Sequence, residues 1–266
     1  MPAYHAKKRL GQNFLKTGSI IDRVVGLVDP KPDDKIVEIG SGRGALTLPL
    51  AQVGAAVWAI EFDRDLIDYL TSLLAEYKSV KIRNQDFLTF DPNTERLDRF
   101  KLVGNLPYNI TSPVIDWCLR YASRIDSVVL MVQKELGARL AASPGGKDWS
   151  PLSIFTQMVF QVERHFDVAA AHFHPQPKVN SSVLKLIPLT MPYGKLTPQT
   201  QRVVRASFQQ RRKLLVNNLV PRLIPQAEQA HKILDAVAID RKARAEALTI
   251  DQFLNLTTYL VKHKLV

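Results

Sequence analysis

The sequence has 266 residues, of which 46% are hydrophobic and 23% charged, and this ordinary globular composition excludes fibrous and intrinsically disordered proteins. A single cysteine, Cys118, excludes a disulfide framework and any cysteine-based zinc cluster. No apolar run reaches the ~18–20 residues of a membrane span, and the N-terminus lacks the apolar segment of a secretory signal. We therefore expect a soluble protein of a reducing compartment, most simply the cytoplasm.

The charge is unevenly distributed along the chain. There are 36 basic and 25 acidic residues, a net charge of +11. Residues 1–25 carry +4, residues 26–189 carry −1, and residues 190–266 carry +8. A near-neutral body with two basic ends suits a polyanion, with nucleic acid as the first candidate and an acidic membrane surface as the second. The alternative is that the basic residues only keep the protein soluble.

The chain consists of an alternating part followed by a helical part. Apolar runs predict strands at 35–39, 55–60, 80–82, 101–103, 127–132 and 182–187, and helical periodicity predicts helices at 19–28, 45–52 and 64–77. This alternation indicates βαβ units and a mostly parallel sheet that is covered on both faces. After a linker at 188–198 the pattern predicts only helices, at 199–208, 211–219, 224–234 and 250–262. We therefore predict an α/β domain at 1–189 and a small helical domain at 190–266.

A glycine-rich loop follows the first predicted strand. Gly40, Gly42 and Gly44 lie where this strand turns into a helix, and glycines there let the backbone turn tightly and approach a ligand. Glu61 ends the next strand, 21 residues after Gly40, where a carboxylate can accept hydrogen bonds from both ribose hydroxyls. Asp86 follows the third strand, where it can accept from an adenine amine. Together these residues predict a crevice that binds adenosine.

Two adenosine-containing cofactors fit such a crevice, a nicotinamide dinucleotide and S-adenosylmethionine. The dinucleotide fingerprint is G-x-G-x-x-G, whereas this loop is G-x-G-x-G, with Glu38 two residues ahead of Gly40. A dinucleotide also needs the helix N-terminus for its pyrophosphate, while S-adenosylmethionine has a sulfonium and no phosphate, so acids near the loop favour it. The remaining alternative is that Glu38, Glu61 and Asp86 are ordinary surface acids at strand ends.

The motif Asn-Leu-Pro-Tyr at 105–108 follows the fourth predicted strand, at the sheet edge where α/β proteins bind ligands. It suits methylation of an aromatic amine, which is a poor nucleophile because its lone pair conjugates with the ring. The side-chain oxygen of Asn105 and the carbonyl of Pro107 can accept from the two amine protons and free that lone pair for attack. Tyr108 can stack on the base. Alternatively, the motif is only a tight turn with a packed tyrosine.

Seven features, taken together, make the chain resemble a known enzyme family. They are KRLGQNFL at 8–15, EIGSGRGALT at 38–47, Glu61, QDF at 85–87, NLPY at 105–108, PQPKVNS at 175–181 and FQQRRK at 208–213. From Lys7 to about Leu260 the chain resembles the bacterial adenine dimethyltransferases of small-subunit ribosomal RNA. The resemblance implies a Rossmann-like, class I S-adenosylmethionine-dependent methyltransferase domain at 1–189 and a small all-helical, RNA-binding C-terminal domain at 190–266.

The resemblance also implies an activity and a partner. The enzyme would transfer methyl groups to the N6 amines of two adjacent adenosines, in a hairpin loop near the 3′ end of small-subunit ribosomal RNA. This reaction would belong to the biogenesis of the small ribosomal subunit, with a pre-mature subunit as the partner. We expect no membrane partner, and we expect the chain to be a monomer.

Site residues follow from the same resemblance. Cofactor contacts are implied for Gln12, Asn13, Leu15, Gly40, Glu61, Asp86 and Asn105. Catalytic roles are implied for Asn105, Pro107, Tyr108 and Phe173, with Phe173 forming the second face of a sandwich around the target base, opposite Tyr108. No metal is expected, because no cysteine or acid near His172 and His174 completes a site.

RNA contacts are expected at the two basic ends. A base enters such a pocket only from a single-stranded or splayed loop, so cations must hold the phosphates beside it. The candidates are Lys7, Lys8, Arg9, Arg211, Arg212 and Lys213. The alternative for the Arg-Arg-Lys run is a solvated helix face.

Three other functions remain open from the sequence. One is a resistance methyltransferase that modifies an adenine of large-subunit ribosomal RNA with the same motif, although the FQQRRK segment and the long helical end argue against it. Another is a non-enzymatic ribosome-assembly or transcription factor, which an intact NLPY motif disfavours. The third is a nicotinamide dehydrogenase, which the loop spacing disfavours.

Overall fold

The computed structural model describes residues 6–7, 10–190, 193 and 196–266. The chain forms two compact units. The first extends to Gly137 and includes Gln161–Pro188, and the second consists of Ala138–Phe160 and Leu189–Val266. No helix within the described residues is long and apolar enough to cross a membrane.

The first unit is built on a seven-stranded sheet. The described strands, in chain order, are β1 (Phe14–Leu15), β2 (Lys35–Ile39), β3 (Ala56–Glu61), β4 (Val80–Asn84), β5 (Phe100–Asn105), β6 (Ile125–Gln133), β7 (Phe160–Val168), β8 (Phe173–His174) and β9 (Ser181–Pro188). The sheet has the order β4-β3-β2-β5-β6-β9-β7, and β1 pairs separately with β8. All neighbouring pairs from β4 to β6 are parallel, and β9 is antiparallel to β6.

The central strands are apolar on both faces because helices cover the sheet. In β2, Ile36, Val37 and Ile39 are all buried, which is typical of parallel strands between two layers. The helices of this unit are α1 (Gly18–Val28), α2 (Thr47–Gln52), α3 (Ile67–Leu73) and α4 (Thr111–Tyr121), with short 3-10 helices at Arg64–Leu66, Phe87–Thr89, Ala122–Arg124 and Ala170–His172. Val24 and Val28, four residues apart on α1, pack into the core.

Most predicted elements of this unit are present, but β1, α4 and β8 were not predicted, and two further differences are informative. The strand predicted at 35–39 coincides with β2, but the helix predicted at 64–77 is reduced to a 3-10 turn at Arg64–Leu66 followed by the short α3. Strand β7 was not predicted. Its sequence, FQVERHFDV, is mostly polar and lies at the edge of the sheet, so it lacks the apolar run that marks the buried strands.

The second unit is helical. After α5 (Lys134–Leu140), which runs from the first unit into the second, come α6 (Pro151–Gln157), α7 (Pro198–Ser207), α8 (Leu215–Leu219), α9 (Ala227–Ala236), a 3-10 turn at Ala245–Ala247 and α10 (Ile250–Lys262). The helix predicted at 211–219 begins only at Leu215. The buried Asn218 side chain accepts from the N–H of Gln210 at 2.8 Å and donates to its carbonyl at 3.1 Å, which holds the preceding residues in a turn.

The division into units differs from the predicted segments 1–189 and 190–266 in one stretch. Ala138–Phe160 belongs with the C-terminal helices. Trp149 is buried and donates its indole N–H to the carbonyl of Leu248 at 3.0 Å, and the N–H of Gly145 donates to the main-chain carbonyl of Glu246 at 2.7 Å. The predicted boundary was based on a proline-rich linker. Such a local signal cannot show that a segment packs against residues about 100 positions later in the sequence.

Candidate active site

A cavity of about 300 Å³ lies in the first unit, where β2, β3 and β5 end. The carboxyl edge of a parallel sheet is where open α/β folds bind ligands. All ten residues to which the sequence assigns a cofactor or catalytic role line this one cavity: Gln12, Asn13, Leu15, Gly40, Glu61, Asp86, Asn105, Pro107, Tyr108 and Phe173.

The glycine loop forms one wall of the cavity. Gly42 and Gly44 both have positive φ, 57° and 75°. A Cβ at Gly42 would lie 3.1 Å from the ring of Phe14, and one at Gly44 would lie 2.6 Å from Leu73. A Cβ at Gly40, in contrast, would meet nothing within 4 Å. The loop is therefore closely packed at Gly42 and Gly44, and it leaves open space beside the cavity at Gly40.

Glu61 holds the loop through both carboxylate oxygens. Its Oε2 accepts from the N–H of Gly42 at 2.8 Å, and its Oε1 accepts from the N–H of Asp63 at 2.7 Å. Burial raises the pKa of the Glu61 carboxyl, while these two N–H donors act in the opposite direction. Each oxygen keeps a further lone pair, so the same group can accept from a ligand hydroxyl at the cavity.

A second buried acid, Glu38, lies at the end of β2. Thr47 donates its hydroxyl to Glu38 Oε2. Burial raises the pKa of Glu38 to about 7, and the negative charge of Glu61 adds to that shift. Glu38 and Glu61 both line the cavity, so they are not ordinary surface acids at strand ends.

The N-terminal segment (residues 10–15) is fastened across this edge of the sheet. Gln12 Nε2 donates to the buried Asp63 at 2.8 Å, and Lys7 Nζ contacts Asp63 and Asp65, at 2.6 Å each. Hydrogen bonds to these two carboxylates raise the pKa of the Lys7 ammonium. Lys7 was predicted to contact RNA phosphates, but its charge is already paired by two carboxylates. The other two N-terminal candidates, Lys8 and Arg9, lie outside the described residues.

Two further contacts fix the segment. Leu15 in β1 pairs with Phe173 in β8, whose side chain is 2% exposed. Asn105 Nδ2, at the end of β5, donates to the carbonyl of Asn13 at 2.9 Å. Since that bond uses the amide nitrogen, Oδ1 is the atom of the Asn105 amide left to accept from a ligand.

The rest of the NLPY motif forms a turn at the cavity. The N–H of Ile110 donates to the carbonyl of Pro107 at 3.2 Å, and this hydrogen bond closes the turn. One lone pair of the Pro107 carbonyl, the acceptor predicted for the target amine, is therefore already used. No described residue donates to the neighbouring carbonyl of Leu106, which also lines the cavity. The Tyr108 hydroxyl lies 3.3 Å from Ser181 Oγ, which anchors the outer end of the ring. Tyr108 therefore presents a positioned ring to the cavity.

The part of the cavity around Asp86 includes a residue that sequence reasoning missed. Asp86 Oδ1 accepts from the N–H of Leu88 at 2.9 Å, and the neighbouring Phe87 is buried against Trp117, with ring centroids 4.6 Å apart. Phe62 follows Glu61 directly, lines the cavity and is 59% exposed. An exposed aromatic ring next to the acid offers a flat surface for a base. The signal was its position immediately after the acid that ends β3.

His172 and His174 lie on either side of Phe173. The Nδ1 atom of His172 lies 2.9 Å from the hydroxyl of Thr17, so one of the two ring nitrogens is already hydrogen-bonded. Across the described residues, no group of three or more His, Cys, Asp or Glu side chains could hold a metal ion.

The remaining RNA candidates lie on the turn between α7 and α8. Arg211, Arg212 and Lys213 are all exposed. Arg211 Nη2 donates to the carbonyls of Lys147 and Trp149, the latter at 3.3 Å, within the same unit. Arg212 and Lys213 are therefore the more accessible cations of this run.

Comparison with known proteins identifies the family. A family model described as ribosomal RNA adenine dimethylase matches residues 3–262. The chain belongs to this family. It is 40% identical to a ribosomal RNA small subunit methyltransferase A from Saccharophagus degradans, over 98% of this chain and 96% of that protein. A protein of the same name from Pseudomonas syringae pv. tomato is also 40% identical, with 97% and 95% covered.

Solved structures agree with the family. A dimethyladenosine transferase from Plasmodium falciparum superposes with a TM-score of 0.82 at 25% identity, covering 94% of this chain and 98% of that one. The 23S rRNA methyltransferase ErmE gives a TM-score of 0.74 at 28% identity, covering 94% and 100%. The family and these folds confirm the predicted resemblance, the Rossmann-like methyltransferase fold, the enzyme class and S-adenosylmethionine as the cofactor. Nicotinamide chemistry is accordingly not supported.

Proposed function

We propose that this chain transfers methyl groups from S-adenosylmethionine to the N6 amines of two adjacent adenosines in a hairpin loop near the 3′ end of small-subunit ribosomal RNA. The observation that carries the proposal is the orientation of the Asn105 amide. Its nitrogen is bonded to Asn13, so its oxygen is available to an amine in a cavity that also contains Glu61 and Tyr108.

The cavity residues fit the cofactor. Buried acids at its wall, Glu38 and Glu61, suit a cationic molecule without phosphate, and Gly40 leaves open space beside them. Glu61 would accept from the ribose hydroxyls, Asp86 from the adenine amine, and the exposed ring of Phe62 would lie against the base. Residues of the N-terminal segment, Gln12 and Asn13 among them, would cover the methionine end. When bound, S-adenosylmethionine supplies an electrophilic methyl group on its sulfonium.

The chain's own groups would activate the target amine. Asn105 Oδ1 would accept one N6 proton and a backbone carbonyl of the turn the other. Both bonds favour a tetrahedral nitrogen and stabilise the positive charge that builds on it. We assign the second acceptor to Pro107, whose carbonyl retains one lone pair, with Leu106 as the alternative because no described residue donates to it.

Base positioning would fall to two aromatic rings. Tyr108, held by Ser181, would stack on one face of the adenine, and Phe173 would form part of the opposite face. No strong base is needed before transfer, since the product ammonium can lose its proton afterwards. The role of these residues is therefore to position and desolvate the amine, and not to deprotonate it.

The substrate is assigned to the small subunit. Two relatives that are 40% identical over nearly the whole chain are named ribosomal RNA small subunit methyltransferase A, which favours this subunit over the large-subunit alternative. We propose that the chain acts in the cytoplasm as a monomer on a pre-mature small subunit, with Arg212 and Lys213 contacting phosphates.

The test is incubation with radiolabelled S-adenosylmethionine and small or large ribosomal subunits whose adenines are unmethylated, followed by mapping of the modified positions. Two dimethyladenosines in one small-subunit hairpin loop are expected. A labelled large-subunit adenine would select the resistance-type reaction, and cofactor binding without transfer would favour a non-enzymatic assembly factor.

A variant pair tests the site map. Glu61→Ala is expected to lose cofactor binding, because the glycine loop loses the acceptor of the Gly42 N–H. Tyr108→Ala is expected to keep cofactor binding and lose turnover. Normal cofactor binding and turnover in both variants would refute the assignment of these residues.

A further inference from the structure

The positive charge of the helical unit is concentrated in one stretch of the chain. From Leu189 to Ala227 there are seven basic residues and no acidic residue, whereas 228–266 contains six basic and five acidic residues. Nearly all of the +8 of the C-terminal end therefore lies on α7, α8 and the segments that flank them. A field of one sign on neighbouring elements marks a surface for a polyanion.

Three of these cations line an open groove within the second unit. Arg202 and Arg205 lie three positions apart on α7, and Arg222 follows α8. Gln201, on the same helix, and Gln209, just beyond it, also line the groove. Helical spacing places the α7 side chains on one face, so the groove presents only amide and guanidinium groups as polar side chains.

The opposite side of α7 explains why this face is exposed. Val203 and Val204 are fully buried in the helical unit, so they fix the rotation of the helix about its axis. With those two side chains inward, Arg202 and Arg205 must face solvent, where both are exposed. The groove is thus a consequence of how α7 packs.

Two of the arginines are held in position without losing their charge. The Arg205 guanidinium lies 5.3 Å from the ring centroid of Phe155, and Arg222 Nη1 donates to the carbonyl of Asn218 at 3.4 Å. In the described part of the chain, none of Arg202, Arg205 and Arg222 has a carboxylate within 4.0 Å. A stacked or bonded guanidinium loses less conformational freedom when it binds a phosphate.

We propose that this arginine groove (Arg202, Arg205 and Arg222) binds the phosphodiester backbone of ribosomal RNA, outside the cavity that accepts the target base. The identity of the polyanion rests on the proposed function. Guanidinium groups form paired hydrogen bonds to phosphate oxygens, and the two glutamines add neutral donors. Such contacts position the RNA and read no base, so the groove contributes affinity that does not depend on sequence.

A pair of charge-matched variants tests the groove. One is Arg202→Gln, Arg205→Gln and Arg222→Gln together. The control is Lys242→Gln, Lys262→Gln and Lys264→Gln, which removes the same charge from exposed positions of the same unit. Binding to unmethylated small subunits is measured from 50 to 300 mM salt, alongside the affinity for S-adenosylmethionine and the melting temperature.

The groove variant is expected to bind small subunits at least about tenfold more weakly at low salt, and to lower the magnitude of the salt slope by about two to three. The control should keep the slope of the unaltered chain within about one unit. Cofactor affinity should stay unchanged in both, because the cofactor cavity is lined only by residues of the first unit. The melting temperature shows whether both variants remain folded under the conditions of the binding measurement.

Equal losses in the two variants would mean that net charge alone acts, and they would overturn the proposal. An unchanged salt slope in the groove variant would overturn it too. So would a groove variant that loses binding to anionic lipid vesicles while it binds RNA normally, because the groove would then be a membrane contact. An unaltered chain that binds the subunits but transfers no methyl group would refute the proposed function, and the slopes would still decide the groove.

Discussion

The side-chain amide of Asn105 donates to the main-chain carbonyl of Asn13 at 2.9 Å, although the two residues are 92 positions apart. One asparagine therefore connects the NLPY turn with the N-terminal segment that borders the same cavity. The bond also fixes which end of the amide is left for a substrate. The same side chain therefore holds Asn13 at the cavity and leaves its own oxygen facing a ligand.

We expect Asn105→Asp to lower the methyl-transfer rate by about 10²-fold or more, because a carboxylate cannot donate to Asn13 and turns an oxygen toward that carbonyl. Single-turnover transfer to unmethylated small subunits measures the effect. Asn93→Asp, the same chemical change at an exposed position, is the control and should stay within about twofold. A rate for Asn105→Asp close to that of the control would refute the role of the amide.

Strand ends and motifs were predictable from the sequence because they depend on local patterns. Three of the five residues at Lys35–Ile39 are β-branched and apolar, so both the strand and the glycine loop after it follow from a few adjacent residues. The acid Glu61 could be assigned by its distance along the chain from Gly40. Residues at the carboxyl ends of adjacent parallel strands then had to meet at one edge of the sheet.

Contacts between distant segments could not be predicted in this way. Lys7 reads as a free cation in the sequence, and only the fold brings it to Asp63, 56 positions away. Phe62 reads as one more apolar residue, because periodicity does not say which apolar side chain the fold leaves exposed. A helix was predicted to begin at Arg211, but a turn is present there. The buried side-chain amide of Asn218 hydrogen-bonds both the backbone N–H and the carbonyl of Gln210, which holds this stretch in the turn.

We expect Asp63→Ala to weaken cofactor binding about tenfold or more. The buried Asp63 carboxylate accepts from Lys7 and Gln12, and its removal frees the N-terminal segment and leaves both donors without that acceptor. Asp65→Ala is the matched control, because its exposed carboxylate contacts the same lysine. Titration calorimetry with S-adenosylmethionine should find less than about a fivefold change for Asp65→Ala. Equal affinities in the two variants would contradict the role given to Asp63.

The buried acid Glu38 predicts a pH dependence of stability. Its pKa is about 7 in the folded chain and 4.5 in the unfolded one, so between these values the folded chain binds more protons. The free energy of unfolding should therefore fall as the pH rises from about 4.5 to about 7, by up to ~3 kcal/mol from this group. Glu38→Gln keeps an acceptor for Thr47 and should flatten that slope in urea denaturation at pH 5, 6, 7 and 8. An unchanged slope would show that Glu38 does not titrate in this range.

Phe62 and Tyr108 line the same cavity, but their substitution should affect different steps, cofactor binding for Phe62 and methyl transfer for Tyr108. Phe62 follows the acid of β3, so Phe62→Ala is expected to raise the dissociation constant of S-adenosylmethionine about tenfold, as loss of one stacked ring does. Its rate at saturating cofactor should stay within about threefold.

Phe62→Leu separates stacking from simple apolar contact, since a flat ring but not a branched chain covers the face of a base. Calorimetry and single-turnover rates are measured on the same preparations, and Tyr108→Ala should show the reverse pattern, with normal cofactor affinity and little transfer. If Phe62→Ala instead slowed transfer at saturating cofactor and bound it normally, Phe62 would contact the target base. The cofactor's adenine would then lie elsewhere in the cavity.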